Sequence, residues 1–336
     1  MNKESDMCEA QKTSEPLHNS KLVLGAAFLD TVIHSDFLNN NLPDKCAKLI
    51  IADPPYFEVK GSFDFVWNSF EDYLKDVEKW AIECKRILAD NGTLFWYGHA
   101  RNIAYSQVIF DEYFTLENNL VWRKKDSMQY QYYSPDLART FNTHNERILM
   151  YSNESDNFFI GEQRDYLLSE FRESGKPISF YKTLCGFTGN QPYNWFAPNN
   201  EGGGTWQLPT KEHYLKLQTT GYFQKPYEEL IEEFNRKRRH FHNAMKLEEV
   251  LEFSQEAHIT KEYDHPTKKP EKLTRALILT CSRKDDLVVV PFAGSGTEVA
   301  MSIKEGRKAI AYDIEKKYVD MSNKRIKTIK DAPCLF

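Results

Sequence analysis

Two short motifs, far apart in this chain of 336 residues, combine residue types that could do chemistry. Residues 53–56 read Asp-Pro-Pro-Tyr and follow the apolar run 48–52, while residues 292–297 read Phe-Ala-Gly-Ser-Gly-Thr and follow the apolar run 287–290. Each apolar run predicts a buried strand. A polar or glycine-rich turn directly after a strand lies at the carboxyl edge of a parallel sheet, where open α/β folds bind ligands. The two motifs are therefore predicted to meet at one edge of one sheet.

The first motif could hold an amino group. Pro54 and Pro55 have no N–H to donate and a nearly fixed backbone, so they would present rigid carbonyl acceptors. An exocyclic amine could donate one hydrogen to the Asp53 carboxylate and one to the Pro54 carbonyl, which takes the nitrogen lone pair out of conjugation and directs it at an electrophile. Tyr56 offers a π-face for stacking a base. The alternative interpretation is a rigid turn with a surface aspartate.

The second motif predicts a strand-to-helix turn against a ligand. Its glycines let the backbone approach closely, and the helix that follows directs free N–H groups at the ligand. A nucleoside triphosphate is disfavoured, because a P-loop needs Lys and then Ser or Thr after its last Gly, whereas Gly296 is followed by Thr297 and Glu298. The acidic side chain of Glu298 would also repel phosphate. Asp313 closes the next strand, where a carboxylate can hold ribose hydroxyls. The alternative interpretation is a turn that binds no ligand.

Composition bounds the class of protein. The length permits two domains, or one domain with a large insertion, and a hydrophobic fraction of 41% permits a sizeable core. A net charge of -5 argues against a uniformly basic nucleic-acid binder but is compatible with a local basic face. The six cysteines include no CxxC pair, so we expect reduced thiols and no metal site. No apolar run reaches transmembrane length and residues 1–20 are polar, so we expect a cytoplasmic protein without a membrane partner.

The order of predicted elements indicates a doubly wound α/β domain with an insertion. Residues 1–20 are predicted to form a disordered tail. Residues 186–210 are rich in Gly, Asn and aromatic residues and predict loops, and residues 226–253 predict a charged helix. We therefore predict one domain from residues 21–152 and 260–330, interrupted by a region of different chemistry at 153–259. Strands are predicted at 31–34, 47–52, 93–97, 116–122, 146–151, 287–290 and 308–312, and helices at 70–89, 101–114, 271–281, 298–305 and 317–330.

The two motifs in this order resemble the β group of amino-group DNA methyltransferases, which use S-adenosylmethionine. Three further segments fit that resemblance in the same order: residues 34–36 are similar to a segment that reaches the adenine of the cofactor, residues 145–148 to a segment that lines the base pocket, and residues 265–270 (HPTKKP) to a segment just before the cofactor motif. Residues 307–325 also resemble the family's strand, acid and helix, with Asp313 in the acidic position.

The resemblance implies a fold, a reaction and a partner. The fold would be a doubly wound, mostly parallel sheet of the class I S-adenosylmethionine-dependent methyltransferase type, with a target-recognition region inserted at residues 153–259. The reaction would be site-specific methylation of N6 of a flipped-out adenine, because Asp in the first motif position resembles the adenine enzymes. Cytosine N4 methylation, methylation of an amine in RNA or protein, and a catalytically silent DNA-binding protein are the alternatives. The partner would be double-stranded DNA, and a homodimer and a cognate restriction endonuclease stay open.

The resemblance also assigns residues to roles. Catalysis would fall to Asp53, Pro54, Pro55 and Tyr56. Cofactor binding would fall to Asp36, Asp53, His265, Thr267, Lys268, Phe292, Gly294, Ser295, Gly296, Thr297 and Asp313.

Three positions depart from the family pattern. Val290 stands where the family usually has an Asp that helps to hold the amino group of the cofactor, so an acid introduced there is expected to tighten cofactor binding. Lys268 replaces the usual Gln and adds a positive charge that could face the carboxylate of the cofactor. Asp313 replaces the commoner Glu, which should be conservative.

Two groups of residues are candidates for DNA contact. The basic residues would contact phosphates, although a basic run is as often a solvated helix face. The aromatic loop at 186–206 could read bases or fill the gap left by a flipped base, or it could be a satellite core packed on Trp195 and Trp206. The basic candidates are Arg123, Lys124, Lys125, Arg236, Arg238 and Arg239.

Overall fold

One eight-stranded sheet forms the centre of the molecule. The computed structural model describes residues 29–59, 64, 66–125, 141, 144–153, 157–189, 192–196, 206–255 and 268–331. The strands run in the order β1-β8-β7-β2-β3-β5-β4-β6, and β5 is antiparallel to both of its neighbours while the other pairs are parallel. The strands are β1 (Thr31–His34), β2 (Ala47–Ala52), β3 (Leu88–Gly98), β4 (Thr115–Lys125), β5 (Asn145–Ser152), β6 (Val250–Ser254), β7 (Leu287–Val290) and β8 (Lys308–Asp313).

Helices cover both faces of this sheet, which confirms the predicted doubly wound, mostly parallel architecture. No helix in the described ranges is both long and apolar enough to cross a membrane. The helices are α1 (Phe70–Ile87), α2 (Ile103–Asp111), α3 (Asn157–Glu173), α4 (Ile178–Cys185), α5 (Tyr193–Phe196), α6 (Lys211–Gln218), α7 (Tyr227–Lys237), α8 (Glu271–Cys281), α9 (Thr297–Lys304) and α10 (Lys316–Asp331).

The central strands are apolar on both faces because both faces are covered. Along β2, Leu49 and Ile51 pack under α8, α9 and α10, whereas Ile50 and Ala52 pack under α1 and α2. Helix α1 begins at a Ser69 cap, whose side chain accepts a hydrogen bond from the Asp72 backbone, and turns its apolar residues inward at helical spacing. A rigid three-layer frame therefore fixes the ends of β2 and β7, where the two motifs begin.

The largest differences from the sequence prediction are at the start of β3 and beyond the end of α7. Strand β3 begins at Leu88 instead of residue 93, because Leu88 already pairs with Ala47 of β2 across a register shift in the ladder. Within this segment Asn91 accepts from Lys48 Nζ and donates to the Arg236 carbonyl at 2.7 Å. The prediction of helix as far as residue 253 is wrong, since α7 ends at Lys237 and residues 250–254 form β6. Strand β6 pairs parallel to β4.

The middle of the chain has a hydrophobic cluster of its own. Helices α3, α4, α6 and α7 contribute to it, and its largest members are aromatic. Trp195 and Trp206 are both buried in it, and the Trp206 indole donates to the Trp195 carbonyl at 3.1 Å. The alternative interpretation of the aromatic loop as a satellite core is therefore the correct one for these two tryptophans. The predicted tail lies outside the described residues.

Candidate active site

The two motifs leave adjacent strands at the point where the strand order reverses. Strand β2 lies between β3, the next strand along the chain, and β7, which comes much later. Ile50 of β2 pairs with Val289 of β7, and Asp53 and Phe292 each come three residues after these paired positions. The two motifs therefore begin at the same level of the sheet. Open α/β folds bind ligands at such a switch point, outside the carboxyl ends of the strands. The ends of β1 and β8, with Asp36 and Asp313, complete the same edge.

A cavity of about 460 Å³ opens at this edge and joins the two motifs. Of the predicted cofactor residues, Gly296, Thr297 and Lys268 do not line it, and His265 and Thr267 lie outside the described residues. The predicted site residues that do line it are Asp36, Asp53, Pro54, Pro55, Tyr56, Phe292, Gly294, Ser295 and Asp313.

The Asp53 carboxylate is engaged on both oxygens. The Tyr56 hydroxyl donates to Oδ1 at 2.5 Å, and the Lys269 ammonium lies 2.7 Å from Oδ2. Each carboxylate oxygen can accept two hydrogen bonds, so both oxygens keep one acceptor position. The carboxylate is thus fixed in orientation and still able to accept from an incoming amine.

Lys269 connects Asp53 to a second carboxylate. Its ammonium lies 3.1 Å from Glu146 Oε2, and Lys124 holds the other oxygen of Glu146 at 2.7 Å. Lys269 is only 3% exposed and lies 5.4 Å and 5.0 Å from the ring centres of Tyr56 and Tyr97. Two ammonium groups and two carboxylates therefore alternate in one buried chain, which offsets the cost of removing each from water.

Charge pairing sets the protonation states in this chain. Burial raises the pKa of Glu146, but the nearby ammonium groups of Lys269 and Lys124 outweigh it and hold the pKa at about 2. Burial lowers the pKa of Lys269, but Asp53 and Glu146 outweigh it and raise that pKa above its usual value. Burial raises the pKa of Asp53, and Lys269 opposes that rise. Lys269 is thus a permanent cation that favours an ionised Asp53.

Backbone hydrogen bonds hold the turn that carries Asp53. The Tyr56 N–H donates to Asp64 Oδ1 at 2.6 Å, and the Asn102 side chain donates to the Phe57 carbonyl at 2.9 Å. Asp64 is only 1% exposed, so its carboxylate acts as an internal anchor. Because Pro54 and Pro55 have no N–H groups, these anchors lie beyond the two prolines and leave their carbonyls at the cavity.

The glycine turn after β7 is held from beneath by its neighbours. Gly294 N–H donates to Asp313 Oδ2 at 2.8 Å, which ties the turn to the end of β8. Gly296 has a φ of 68°, and a Cβ there would lie 2.5 Å from Ser322 Oγ, so only glycine fits. Thr297 is fully buried and accepts from Arg325 at 3.1 Å. Gly296 and Thr297 therefore shape the turn, while Gly294 and Ser295 face the ligand space.

The remaining cofactor candidates that line the cavity are Phe292, Asp36 and Asp313. The Phe292 ring packs edge-on against Trp80 with ring centres 5.0 Å apart. Asp36 accepts from the Leu38 N–H at 2.9 Å and begins a single 3₁₀ turn, Phe37–Asn39. Burial raises the pKa of Asp313, whose oxygens already accept from Gly294 and Glu315.

The cavity is strongly acidic. Of the described residues that line it, seven carry carboxyl groups and only Lys269 carries a basic side chain. Such a site favours a cationic ligand and disfavours phosphate groups. S-adenosylmethionine carries a sulfonium and an ammonium, so the donor set fits this cofactor. The acidic residues are Asp36, Asp53, Asp64, Asp76, Glu298, Asp313 and Glu315.

Comparison with known families agrees with this geometry. The family model described as DNA methylase, which covers N6 and N4 enzymes, matches residues 47–324. The chain belongs to this DNA methylase family. The resemblance seen in the sequence is thereby confirmed, and with it a methyltransferase that acts on DNA and uses S-adenosylmethionine.

Individual relatives have low sequence identity to this chain but align with most of its length. The chain is 26% identical over 305 residues to the DNA adenine methyltransferase YhdJ of Escherichia coli, covering 88% of this chain and 82% of the relative. It is 26% identical over 325 residues to the type II methyltransferase M.HinfI of Haemophilus influenzae, covering 91% and 70%.

Solved structures share the fold. The cytosine-N4-specific PvuII DNA methyltransferase has a TM-score of 0.53 at 13% identity, covering 90% of this chain and 92% of that one. A DNA modification methylase of Thermus thermophilus, solved with S-adenosyl-L-methionine, has a TM-score of 0.50 at 17% identity, covering 90% and 95%. At these identities the likeness shows the fold alone, and it confirms the predicted fold class.

The basic candidates of the methylase fall at opposite edges of the sheet. Arg123 and Lys125 end β4 on the same edge as Asp53, where both pair with Glu252 and stay at least half exposed. Lys124 points instead to Glu146 and belongs to the buried charge chain.

The basic run at the end of α7, residues 236–239, lies at the other edge of the sheet, where the parallel strands begin. The carbonyls of Arg236 and Arg238 accept from Asn91, near the start of β3. The seven steps from Asn91 to Gly98 along β3 span about 23 Å at 3.3 Å per residue. Arg239 is paired with Glu117 at 3.2 Å and its side chain is only 9% exposed. The run therefore lies away from the cavity, and Arg239 is held in an ion pair. DNA contact by this run stays a prediction.

Sequence reasoning did not single out Lys269 or Glu298 as site residues. Lys269 lies beside Lys268 in the HPTKKP segment, and only the fold shows which of the two lysines enters the site. Glu298 follows the glycine motif and was predicted only to repel phosphate. In the structure it lines the cavity.

Proposed function

We propose that this methylase transfers a methyl group from S-adenosylmethionine to N6 of an adenine in double-stranded DNA, at specific sites and with the base flipped out of the duplex. The observation that carries the proposal is the single acidic cavity that joins the Asp53 turn to the Gly294 turn. One end of the cavity offers amine acceptors, and the other offers a carboxylate and a glycine turn suited to a nucleoside. A methyl donor and an amine acceptor would meet between them.

Adenine is preferred over cytosine for two reasons. Asp53 heads the catalytic motif, as in the adenine enzymes that the sequence resembles. YhdJ, one of the relatives, is named a DNA adenine methyltransferase. The PvuII enzyme, which shares the fold, is named cytosine-N4-specific, so the fold does not decide the base. Cytosine N4 is therefore the second candidate.

The residues of the first motif prepare the amine for attack. One N6 hydrogen is donated to a free acceptor position of Asp53 and the other to the Pro54 carbonyl, which localises the lone pair on nitrogen. Tyr56, held by its hydrogen bond to Asp53, supplies the wall against which the base stacks. Lys269 keeps Asp53 ionised and fixed.

When bound, S-adenosylmethionine supplies the methyl group, whose carbon–sulfur electron pair stays on sulfur as nitrogen forms the new bond. Nitrogen then loses one proton, and Asp53 is placed to accept it because burial raises the pKa of its carboxyl group. Phe292, Gly294 and Asp313 line the cavity and position the nucleoside end. Positioning and water exclusion supply most of the acceleration.

The domain plan extends this proposal. Residues 21–152 and 260–330 form the catalytic domain and residues 153–259 the target-recognition region, from which β6 returns to the catalytic sheet. A cytoplasmic location, a homodimer and a cognate restriction endonuclease stay predictions.

The test is methylation of unmethylated genomic DNA with labelled cofactor, followed by digestion to nucleosides and mass spectrometry. Label in N6-methyladenine supports the proposal, label in N4-methylcytosine supports the second candidate, and label in neither refutes both. Asp53→Ala should lower turnover by about 10²–10³-fold, the usual cost of one lost hydrogen-bonding partner at a reacting centre. DNA affinity should stay near wild type. Asp331→Asn, an exposed change at the end of α10, is the matched control.

A further inference from the structure

Glu298 is a buried carboxylate that the proposed reaction does not use. It is the second residue of α9, it lines the cavity, and it is only 4% exposed. Its Oε1 atom has no hydrogen-bond partner among the described residues. A buried polar atom without a partner is costly, so it indicates a group that pairs with something absent from the free protein.

The neighbours of Glu298 are engaged elsewhere. Lys269 is held by Asp53 and Glu146, and Arg325 is held by Glu271 at 2.6 Å. Each nearby cation therefore already has a carboxylate. The Tyr97 hydroxyl, close enough to Glu298 for their charges to interact, is also buried without a hydrogen-bond partner among the described residues.

The balance of charge defines what is missing. Within the buried chain, Asp53 and Glu146 are matched by Lys269 and Lys124, so an ionised Glu298 adds one unmatched negative charge. A ligand carboxylate or phosphate would add to that charge, whereas an ammonium would neutralise it. Val290, at the end of β7, is fully buried and does not line the cavity, so this strand end contributes no side chain to the ligand space.

We propose that Glu298 binds the α-ammonium group of the methionine part of the cofactor. This inference rests on S-adenosylmethionine being the cofactor. Burial and then the charge of Asp53 raise the pKa of Glu298 to about 7. Because the ammonium pairs with the ionised form, cofactor affinity should fall as the pH falls below 7.

The experiment compares two probes on two proteins by calorimetry. The probes are S-adenosylhomocysteine, which binds without reacting, and its analogue without the α-amino group; the proteins are wild type and Glu298→Gln. Loss of one charge-assisted contact should weaken the binding of S-adenosylhomocysteine by about 10- to 100-fold and leave the affinity for the deaminated analogue unchanged. The wild-type loss of affinity below pH 7 should disappear in the variant. Asp53, Lys269, Tyr97 and Arg325 also face Glu298, but any pH dependence of binding that they cause is present in both proteins. Glu112→Gln, an exposed carboxylate at the end of α2, is the control.

The outcomes separate this inference from the proposed function. If wild type binds neither probe, the proposed function fails. If wild type binds S-adenosylhomocysteine and Glu298→Gln binds it equally well, or if both probes weaken by the same factor, the assignment of Glu298 is overturned. A neutral, isosteric side chain replaces a buried carboxylate, so the melting temperature of the variant should not fall. A lower melting temperature would also contradict the proposal, since it would give Glu298 a structural role.

Discussion

Lys269→Met removes the cation that two buried carboxylates share. The ammonium lies 2.7 Å from Asp53 and 3.1 Å from Glu146, and all three side chains are at least four-fifths buried. Removing one partner from a buried charge pair costs about 3–5 kcal/mol, because the remaining charges lose their compensation. Methionine keeps most of the apolar volume, so we expect the lost charge to account for most of this effect. At about 2–4 °C per kcal/mol, the melting temperature should fall by roughly 6–20 °C.

The dependence of this loss on pH follows from the two shifted groups. The pKa of Glu146 is lowered to about 2 from 4.5, so its charge stabilises the fold above pH 4.5 and that contribution is lost as the pH falls towards 2. The pKa of Lys269 is raised from 10.5, so its contribution is fully present below pH 10.5 and is lost as the pH rises through the folded value. The stability difference between wild type and variant should therefore be largest between about pH 4.5 and 10.5.

The methylation activity of the variant should also depend on pH. Without Lys269, only the Tyr56 hydrogen bond opposes the burial that raises the pKa of Asp53, so this pKa should rise further. A larger share of the carboxyl group is then protonated and cannot accept from the amine, and this share should shrink as the pH rises. We expect at least about a tenfold loss of methylation at pH 7, a cost of only ~1.4 kcal/mol. The assay is a pH–rate profile at saturating cofactor and DNA, with Lys272→Met, an exposed lysine on α8, as the control. A folded variant with the wild-type profile would refute the role given to Lys269.

Two further predictions concern the fold and the DNA. Val290→Asp buries a carboxylate in an apolar cluster away from the cavity, so it should destabilise the protein by about 3 kcal/mol or more. It should also leave cofactor binding no tighter than in the wild type, contrary to the expectation from the family pattern. A melting curve and a cofactor titration check the two results, and tighter binding would restore the family role of this position. Neutralising Arg123 and Lys125 together should lower the log–log salt slope of DNA binding by about 0.9 for each lost phosphate contact. The same change at Arg236 should leave the slope unaltered, and the reverse pattern would place the DNA at the other edge of the sheet.

Local patterns predicted the central elements well because the fold buries them fully. The bounds of β1, β2, β7 and α8 agree with prediction, since an apolar strand or an amphipathic helix with clear end signals leaves few alternatives. Strand β6 was missed because it lacks this burial. Only Leu251 is buried in this edge strand, so its side chains carry almost no record of the pairing with β4.

The site divides in a similar way. Asp53 and Phe292 could be predicted because each follows directly from its own strand, and the sheet brings the strand ends together. The charge chain through Lys269 could not be predicted, because it joins distant parts of the sequence. Lys269 and Tyr56, for example, are hydrogen-bonded although they are 213 positions apart. Sequence likewise shows that Arg236 is basic but not that α7 ends at the far edge of the sheet. Long-range pairing decides both, and no local pattern records it.

The acidic cavity and the polyanionic substrate place opposite demands on this enzyme. A cavity lined by seven carboxylic residues and one lysine repels phosphate, so the DNA backbone must stay outside it. A flipped base is uncharged and presents an amine that carboxylates attract, and the cofactor is a cation. The same field therefore admits the cofactor and the base and excludes the strand that carries the base. Attraction for the backbone must then come from cations outside the cavity. We predict that Arg123 and Lys125, exposed at the carboxyl edge beside Glu252, supply part of it.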